Sequence, residues 1–245
     1  MRPCIVIPVY NHGHGIGPVL EGLRHHHLPV IMVDDGSDDG SDAILRQRVT
    51  ADPNRLVLVR RAHNGGKGAA VITGLREAHR RGFSHALQVD ADGQHDLADL
   101  PAFLRCAQQH PDALITGVPV YDDSVPKSRL YGRYLSHFWV WVNTLSLDIR
   151  DSLCGFRIYP LADTVALLDN ERLGRHMEFD CEVLVRLHWR GVPIINLPTA
   201  VHYPADGVSH FRLCRDNLLI AGMHTRLFLG MLRRLPTILK RRWAS

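Results

Sequence analysis

Short apolar runs recur through the first half of the chain and alternate with segments of helical spacing. The runs are CIVIPV, VIMVDD, RLVLVR, HALQVD and ALITGV, each about 25 residues after the last. The segments between them carry apolar or small residues at helical intervals, as at Ala70, Val71, Gly74, Leu75 and Ala78. Strands that alternate with helices form a mostly parallel sheet with helices on both faces. The pattern therefore predicts an α/β fold with a Rossmann-like, mostly parallel sheet, whose ligands bind at the carboxyl ends of the strands.

The alternation ends after about residue 120, and the length of 245 residues suits one large α/β domain. A long amphipathic stretch at residues 128–147 follows, then a helical pattern at 176–191 and a short strand pattern at 193–198. We interpret this second half as the part that shapes a second binding site against the first half. The aromatic residues of the amphipathic stretch have the spacing of a buried helix face, so we expect them in the core: Phe138, Trp139 and Trp141.

The start of the chain and its cysteines predict a cytosolic protein. Pro8 ends the first apolar run almost at once, so the chain does not open on the pattern of a secretory signal peptide. The cysteines form no CxxC pair, and their odd number argues against a disulfide framework or a structural zinc site: Cys4, Cys106, Cys154, Cys181 and Cys214. We expect reduced thiols, and we interpret the run His25 to His27 as a solvated helix end.

Positive charge is concentrated at the C-terminal end of the chain. Residues 226–245 carry six basic side chains and no acidic one, whereas the other 225 residues carry 23 basic and 25 acidic side chains. A basic tail on a nearly neutral body predicts a local electrostatic contact and no nucleic-acid-binding face. Residues 218–235 are too short and too polar for a membrane span. They are typical either of an amphipathic helix on a bilayer surface or of a helix packed on the domain.

Two glycine-rich stretches resemble nucleotide-binding motifs without completing them. NHGHGIGP has Pro18 where a dinucleotide fingerprint needs its third glycine. HNGGKGAA has Gly68 after Lys67 where a P-loop needs Ser or Thr, although a lysine at a helix start can still face an anion. An NAD-dependent oxidoreductase therefore stays open as an alternative.

Acidic and amide side chains alternate directly after the fourth predicted strand, in the stretch QVDADGQHD. A calcium loop is excluded because His95 and Pro101 stand where it needs Gly and Glu. Oxygen ligands at a strand end suit Mg²⁺ or Mn²⁺, which also bind substrate phosphates. Asp90, Asp92 and Gln94 are therefore a candidate site for a metal that bridges a diphosphate and stabilises charge on a leaving phosphate.

Six motifs, in this order and at these spacings, resemble family 2 glycosyltransferases of the GT-A fold over roughly residues 3–212. They are VIPVYN, VDDGSDDGS, HNGGKGAA, VDADGQHD, CGFR and EFD. The dolichyl-phosphate mannose synthase and polyprenyl-phosphate glycosyltransferase branch is the most similar. The resemblance implies a GT-A domain at 1–212, with a nucleotide-binding half at about 1–120 and an acceptor half at about 121–212. Residues 213–245 would then form a C-terminal amphipathic helix and basic tail.

The same resemblance implies an inverting transfer of sugar from a UDP- or GDP-sugar, with Mg²⁺ or Mn²⁺ as cofactor. The nucleotide-binding residues that it implies are Pro8, Tyr10, Asp34, Asp35, Lys67 and Asp90. The metal ligands that it implies are Asp90, Asp92 and Gln94. The chain departs from the branch at His12, where a Glu is common after YN, which puts the identity of the nucleotide in doubt.

The acceptor separates two versions of this function. A hydroxyl acceptor needs a general base, and Asp180 or Glu178 of EFD matches the family's place for one. A polyprenyl phosphate is already ionised and needs cations and donors instead. The candidates for that role are Arg133, Ser209, His210 and Arg212. We expect a lipid-linked acceptor, with the enzyme at the cytoplasmic membrane face through its tail.

Three other functions stay open on sequence grounds. A sugar nucleotidyltransferase shares the sheet and the metal, but it needs a basic, Gly-rich loop directly after the first strand, where this chain has PVYN. An oxidoreductase is the second alternative. A non-catalytic binder of sugar nucleotides is the third, and the intact set of carboxylates argues against it.

Overall fold

The computed structural model of the protein describes residues 1–121, 127–201 and 212–244. Its centre is a seven-stranded sheet in the order β3-β2-β1-β4-β6-β5-β7. The strands are β1 Pro3–Val9, β2 Val30–Asp34, β3 Leu56–Arg60, β4 His85–Gln88, β5 Leu114–Tyr121, β6 Arg157–Pro160 and β7 Ile194–Val201. Only β6 runs antiparallel to its neighbours β4 and β5. The predicted α/β class and mostly parallel sheet are confirmed, and β6 is the strand that the sequence pattern did not predict.

Eight α-helices in the described parts of the chain connect and cover the strands. They are α1 Ile16–Gly22, α2 Ser41–Ala51, α3 Lys67–Arg80, α4 Leu100–Gln109, α5 Lys127–Thr144, α6 Leu161–Asn170, α7 Phe179–Arg190 and α8 Leu213–Ala244. Short 3₁₀ turns lie at Arg24–His26 and Leu97–Asp99. The first turn contains two residues of the histidine run, as expected for a helix end, and all five cysteines are free thiols.

Two apolar layers lie on opposite faces of the sheet, because side chains alternate along each strand. In β1, Cys4 and Val6 join the layer under α3, α6, α7 and α8, whereas Ile5 and Ile7 join the layer under α1 and α4. Gly74 lets α3 approach the sheet closely, since a Cβ at this position would overlap the side chain of Val6. Both faces of the central strands are therefore buried, as their continuous apolar runs require.

The strand order sets the position of a ligand site. β1 pairs in parallel with β2 on one side and with β4 on the other. The connections after β1 and β4 therefore leave the same edge of the sheet on either side of a crevice. In open α/β sheets this crevice, outside the carboxyl ends of the strands, is where ligands bind.

The aromatic residues of α5 are not in the core, so that prediction is wrong. Phe138, Trp139 and Trp141 are 55%, 38% and 36% exposed. The buried stripe of α5 contains His137 and Val140 together with Ser136, Asn143 and Thr144. Helical spacing predicted one buried stripe on α5 but did not predict which side of the helix faces the protein. The more polar side is buried, and its polar residues include ones with hydrogen-bonding partners inside the protein.

Helix α8 extends beyond the predicted range 218–235 and continues past Pro236. One stripe of α8, including Met223, Leu227 and Met231, is buried in the layer against the rest of the domain. The opposite side exposes four leucines: Leu218, Leu229, Leu232 and Leu239. Packing on the domain therefore leaves a second apolar stripe uncovered by the described residues. Within those residues, no helix has an apolar stretch long enough to cross a membrane.

Candidate active site

Lys67 brings together three of the predicted site residues at the carboxyl edge of the sheet. Its Nζ atom lies 2.8 Å from Asp90 Oδ2 and 3.0 Å from Asp180 Oδ2. Lys67 begins α3, Asp90 follows β4 and Asp180 lies in the first turn of α7. Burial alone would lower the pKa of Lys67, but the charges of Asp180 and Asp90 outweigh burial and hold that pKa above its usual range. The ammonium is thus charged and shared between two carboxylates.

Asp90 has one carboxylate oxygen held and one buried without a partner. Its Oδ2 contacts Lys67, and His95 Nε2 lies 3.8 Å from the same atom. Its Oδ1 is buried and accepts no hydrogen bond from any described residue. Burial would raise the pKa of Asp90, but the Lys67 charge and His95 lower it overall. A buried, ionised oxygen without a partner is uncommon in proteins and suits a ligand that brings positive charge.

Gly155 of the CGFR motif provides the space for that carboxylate. A Cβ built on Gly155 would lie 2.5 Å from Asp90 Oδ2 and 3.0 Å from Oδ1. Asp90 therefore lies directly over the backbone of the segment before β6. Glycine is needed here for close approach and not for an unusual backbone angle.

Asp92 and Gln94 follow in a tight turn. Gln94 N–H donates to Asp92 Oδ1 at 3.1 Å, and Gly93 has a φ of +69°, which a glycine adopts without strain. Burial and the nearby charge of Asp90 raise the pKa of Asp92. The negative charges of the two carboxylates repel each other, and a cation bound to both would relieve this repulsion.

These residues fit a hard divalent cation that is shared with substrate. The described residues contain no cluster of three or more His, Cys, Asp or Glu side chains arranged as a complete metal site. Mg²⁺ and Mn²⁺ do not require one, because Mg²⁺ usually takes one or two carboxylates and completes its shell with water and phosphate. The unpartnered Oδ1 of Asp90, the nearby carboxylate of Asp92 and the amide of Gln94 meet that requirement.

Asp35 holds the glycine-rich loop that leads into α3. Its carboxylate accepts from the N–H groups of Gly65, at 3.1 Å, and Gly66, at 2.7 Å, and Arg61 Nε lies 3.0 Å away. Burial raises the pKa of Asp35 despite these contacts. The carboxylate therefore fixes the backbone just before Lys67.

The other predicted nucleotide-binding residues lie at the ends of two neighbouring strands. Pro8 is in β1, Tyr10 follows it, and both are partly buried. Asp34 ends β2 and is fully buried; its Oδ1 accepts from Ser37 N–H at 2.9 Å. The fold thus gathers these residues beside Asp35 along one part of the crevice.

Both carboxylate oxygens of Asp180 contact other side chains, whereas a general base needs an oxygen that is free to accept a proton. Gln88 Nε2 donates to Asp180 Oδ1 at 3.3 Å, while Lys67 contacts Oδ2. Arg157, which is fully buried, donates from Nη1 to the backbone oxygen of Asp180, and this nitrogen lies 3.9 Å from Oδ1. Tyr159 OH donates to Gln88 Oε1 at 3.0 Å. The first turn of α7 is therefore tied to β4 and β6 through polar groups inside the protein.

Sequence reasoning did not assign roles to Gln88, Arg157, Tyr159, Gly155 or His95. Four of the five lie in the motifs CGFR and QVDADGQHD. A polar residue within an apolar run is the signal that could have indicated Gln88. Its partner Asp180 is 92 positions away, so only the fold reveals the contact.

Glu178 holds the turn before α7. Its Oε1 accepts from Arg175 N–H at 3.1 Å and His176 N–H at 3.4 Å, and the side chain is buried. A carboxylate that satisfies two backbone donors stabilises the turn. The second oxygen of Glu178, Oε2, is buried without a partner among the described residues, and the ion pairs of Lys67 are with Asp90 and Asp180.

The predicted acceptor-phosphate residues are only partly assembled in the described chain. Arg133 Nη2 donates to Asp151 Oδ1 at 2.9 Å, and that oxygen also accepts from Cys154 N–H at 2.8 Å. Burial would lower the pKa of Arg133, but Asp151 raises it overall, so the pair is ionic. Arg212 is exposed just before α8. Ser209 and His210 lie outside the described residues.

Comparison with known proteins identifies the family. Residues 4–167 match glycosyl transferase family 2. Polyprenol monophosphomannose synthase of Mycolicibacterium smegmatis is 32% identical over 172 residues, which cover 64% of this chain and 61% of that protein. Undecaprenyl-phosphate mannosyltransferase of Micrococcus luteus is 29% identical over 205 residues, covering 81% of this chain and 82% of that protein. The chain therefore spans less than two thirds of the first relative and most of the second.

A solved structure has the same fold at low sequence identity. It is glucosyl-3-phosphoglycerate synthase from Mycobacterium tuberculosis in complex with Mn²⁺, uridine diphosphate and glucosyl-3-phosphoglycerate. The two chains superpose with a TM-score of 0.61 at 16% identity, over 94% of this chain and 78% of that one. The family match covers well over half of this chain, and the structural likeness shows the GT-A fold. The chain therefore belongs to glycosyl transferase family 2.

Proposed function

We propose that the protein transfers a sugar, with inversion at the anomeric carbon, from a UDP- or GDP-sugar to a polyprenyl phosphate or another lipid-linked acceptor. The observation that carries the donor side is Asp90, which has one buried oxygen free beside the cationic Lys67. This pairing of an anionic and a cationic group at the switch point suits a diphosphate that arrives with a dication. The relatives named as polyprenol-phosphate and undecaprenyl-phosphate mannosyl enzymes support the acceptor.

Asp90, Asp92 and Gln94 would hold Mg²⁺ or Mn²⁺. When bound there, the cation would act as a Lewis acid that stabilises negative charge on the departing nucleoside diphosphate. The Mn²⁺ and uridine diphosphate in the structurally similar synthase support a divalent cofactor. Pro8, Tyr10, Asp34 and Asp35 would form the pocket for the nucleotide's base and ribose. Lys67 would lie near the diphosphate.

The acceptor oxygen would attack the anomeric carbon from the side opposite the diphosphate. The bond from that carbon to the leaving phosphate breaks, and the nucleoside diphosphate leaves with the electron pair. A lipid phosphate is already an anion at neutral pH, so the reaction needs no general base. Cations and donors would bind the acceptor phosphate instead, and we assign that role to Arg133, Ser209, His210 and Arg212.

A hydroxyl acceptor is the alternative, with Asp180 or Glu178 as the base. The contacts of Asp180, the family's usual place for the base, favour the lipid phosphate. Asp180 is contacted at Oδ1 by Gln88 and at Oδ2 by Lys67, and Glu178 Oε1 is taken by two backbone donors. A base must reach the proton that it removes, within hydrogen-bonding distance. Asp180 is not free to do so in this arrangement, whereas Glu178 has one oxygen, Oε2, that is buried without a partner among the described residues.

We propose that α8 and the exposed aromatic residues of α5 bring the enzyme to the cytoplasmic face of a membrane. The uncovered leucine stripe of α8 runs beside exposed cations that include Arg233 and Lys240. Trp139 of α5 contacts Phe228 of α8 with ring centroids 6.3 Å apart, so the two helices share one apolar surface. A surface of this composition suits the interfacial zone of a bilayer with anionic lipids.

The donor half of the proposal is tested with Asp92→Ala. We expect this variant to lose metal-dependent release of UDP or GDP from a nucleotide sugar while its thermal unfolding midpoint stays near that of the wild type. The matched control is Asp112→Ala, which removes an exposed carboxylate from the turn before β5. Normal release by the Asp92 variant would contradict the metal assignment.

A further inference from the structure

We propose that Asp180 is a positioning residue, which holds Lys67 against Asp90 and so lets helix α7 set the geometry of the metal-binding motif. We call Lys67, Asp90 and Asp180 the lysine clasp. The inference rests on the proposed function, because it concerns the same donor site. It assigns Asp180 a role on the donor side of the reaction, where the family resemblance implied an acceptor-side base.

The first support is the division of contacts within the clasp. Lys67 Nζ lies 2.8 Å from Asp90 Oδ2 and 3.0 Å from Asp180 Oδ2, so neither carboxylate holds it alone. The same geometry leaves Asp90 Oδ1 without a partner among the described residues. An ammonium pulled toward Asp180 therefore restrains one oxygen of Asp90 and leaves the other for the cation.

The second support is the buried polar backing behind Asp180. Gln88 is fully buried, and its Nε2 donates to Asp180 Oδ1 while its Oε1 accepts from Tyr159 OH. Arg157 donates to the backbone oxygen of Asp180 from Nη1 and to Ser152 O at 2.8 Å from Nη2. Burying an arginine is costly unless its charge is balanced, and Asp180 is the carboxylate closest to it in the ion pairs of the described residues. This backing fixes the Asp180 side chain in one orientation.

The third support is the direct docking of α3 on the turn before α7. Gly68 N–H donates to His176 O at 3.3 Å, and Ala69 N–H donates to Arg175 O at 2.8 Å. A Cβ on Gly68 would overlap Phe179, so the two backbones are in close contact. Lys67 and Asp180 therefore project from two elements that are already joined by backbone hydrogen bonds. The clasp is built into the fold and does not depend on a flexible loop.

Loss of the Asp180 charge would change the clasp in a specific way. Lys67 would pair with Asp90 alone, and the strengthened pair would compete with the divalent cation for the same carboxylate. Residues that orient metal ligands typically change metal affinity about 10- to 100-fold when mutated. The isosteric change Asp180→Asn keeps the size and shape of the side chain, removes its charge and replaces one of its two acceptor oxygens with a donor.

The test measures binding of Mn²⁺ with UDP and of Mn²⁺ with GDP, by electron paramagnetic resonance titration of free Mn²⁺, without any turnover. We expect Asp180→Asn to weaken Mn²⁺ binding in the nucleotide complex about tenfold. In a Lys67→Met background, the same Asp180→Asn change should alter the affinity by less than about twofold, since its effect acts through Lys67. The control is Asp163→Asn, an exposed carboxylate in the first turn of α6.

Three results would overturn the inference, and they differ in what else they affect. Wild-type affinity in Asp180→Asn would overturn the clasp and leave the proposed function intact. An equal tenfold loss in both backgrounds would show that Asp180 acts independently of Lys67, which also contradicts the clasp. If the wild type bound neither Mn²⁺·UDP nor Mn²⁺·GDP, the proposed function would fail and the clasp with it. Circular dichroism of each variant confirms that the fold is retained before the affinities are compared.

Discussion

Because Gly155 has no side chain, the carboxylate of Asp90 can lie directly against its backbone. Its Cα faces the Asp90 carboxylate so closely that a methyl group would lie 2.5 Å from Oδ2. The backbone of Gly155 has no left-handed angle, so any residue could adopt its conformation. The need for glycine in CGFR is therefore steric and concerns the neighbouring site.

We predict that Gly155→Ala displaces the Asp90 carboxylate and weakens Mn²⁺ binding in the nucleotide complex at least about tenfold, as expected when a metal ligand loses its orientation. Overpacking of this kind costs about 1–3 kcal/mol of stability, so the variant should still fold. Isothermal titration of Mn²⁺ with UDP or GDP measures the effect.

The matched control is Gly132→Ala in α5, where no described atom lies within 4 Å of an added Cβ. We expect the control to bind Mn²⁺ and nucleotide like the wild type. Equal affinities for the Gly155 variant and the control would mean that Asp90 is free to move, which contradicts the fixed geometry described above.

Individual residues of the site were predictable to different degrees from the sequence. Asp90, Asp92 and Lys67 are charged residues shortly after a strand or at a helix start, and Lys67 Nζ lies 2.8 Å from Asp90 Oδ2. Gln88 and Arg157 were not predictable, because their importance lies in contacts with a residue far along the chain. A side chain whose partner is distant in sequence has no local pattern that reveals it.

At the scale of elements, periodicity predicted the strands well and the faces of the helices less well. The six predicted strand patterns became strands, whereas β6 has the sequence RIYP, in which a charged residue and a proline interrupt any apolar run. The alternation also could not show that β6 runs antiparallel, since direction is decided by the path of the connecting chain. In α5, the spacing indicated one apolar stripe, but packing buried the polar side and exposed the aromatic residues.

Helix α8 carries the exposed leucines and cations that we expect to bind a membrane surface. We expect the full chain to bind vesicles that contain anionic lipid and to bind neutral vesicles weakly. Replacing Arg233 and Lys240 with Gln should weaken anionic-vesicle binding about 30-fold, because each cation near such a surface contributes about 1 kcal/mol. Vesicle sedimentation at two salt concentrations measures the affinity and its electrostatic part.

The control pair is Arg24→Gln with Arg105→Gln, two exposed cations outside α5 and α8. We expect this pair to bind vesicles like the wild type. An equal loss of vesicle affinity in both pairs of variants would mean that binding depends on the total charge of the protein. The assignment of α8 as the membrane-facing element would then be wrong. Phe138→Ser tests the apolar contribution of α5 separately, and it should weaken binding to anionic vesicles at high salt as well.

At the scale of the whole molecule, the sheet order brings the first half of the chain together with β6 from the second half. The residues that we propose for nucleotide and metal binding lie in or after β1, β2 and β4 and at the start of α3. Arg157 of β6 pairs with Gln88 of β4, and Gly155, in the segment before β6, lies against Asp90. The family match supports glycosyl transfer over the nucleotidyltransferase and oxidoreductase alternatives. Fold class followed from the alternation of strands and helices, whereas the contact between the halves depends on long-range packing that the sequence pattern does not encode.

The most direct test of the account measures release of UDP or GDP from a panel of nucleotide sugars, with Mg²⁺ or Mn²⁺ and then with EDTA, with and without polyprenyl phosphate. We predict release that requires the metal, rises when the lipid phosphate is added, and is accompanied by transfer of the sugar to the lipid. Metal-dependent release that the lipid does not stimulate would contradict the lipid-phosphate acceptor and favour a hydroxyl acceptor. No release with any donor would contradict the proposed enzyme activity itself.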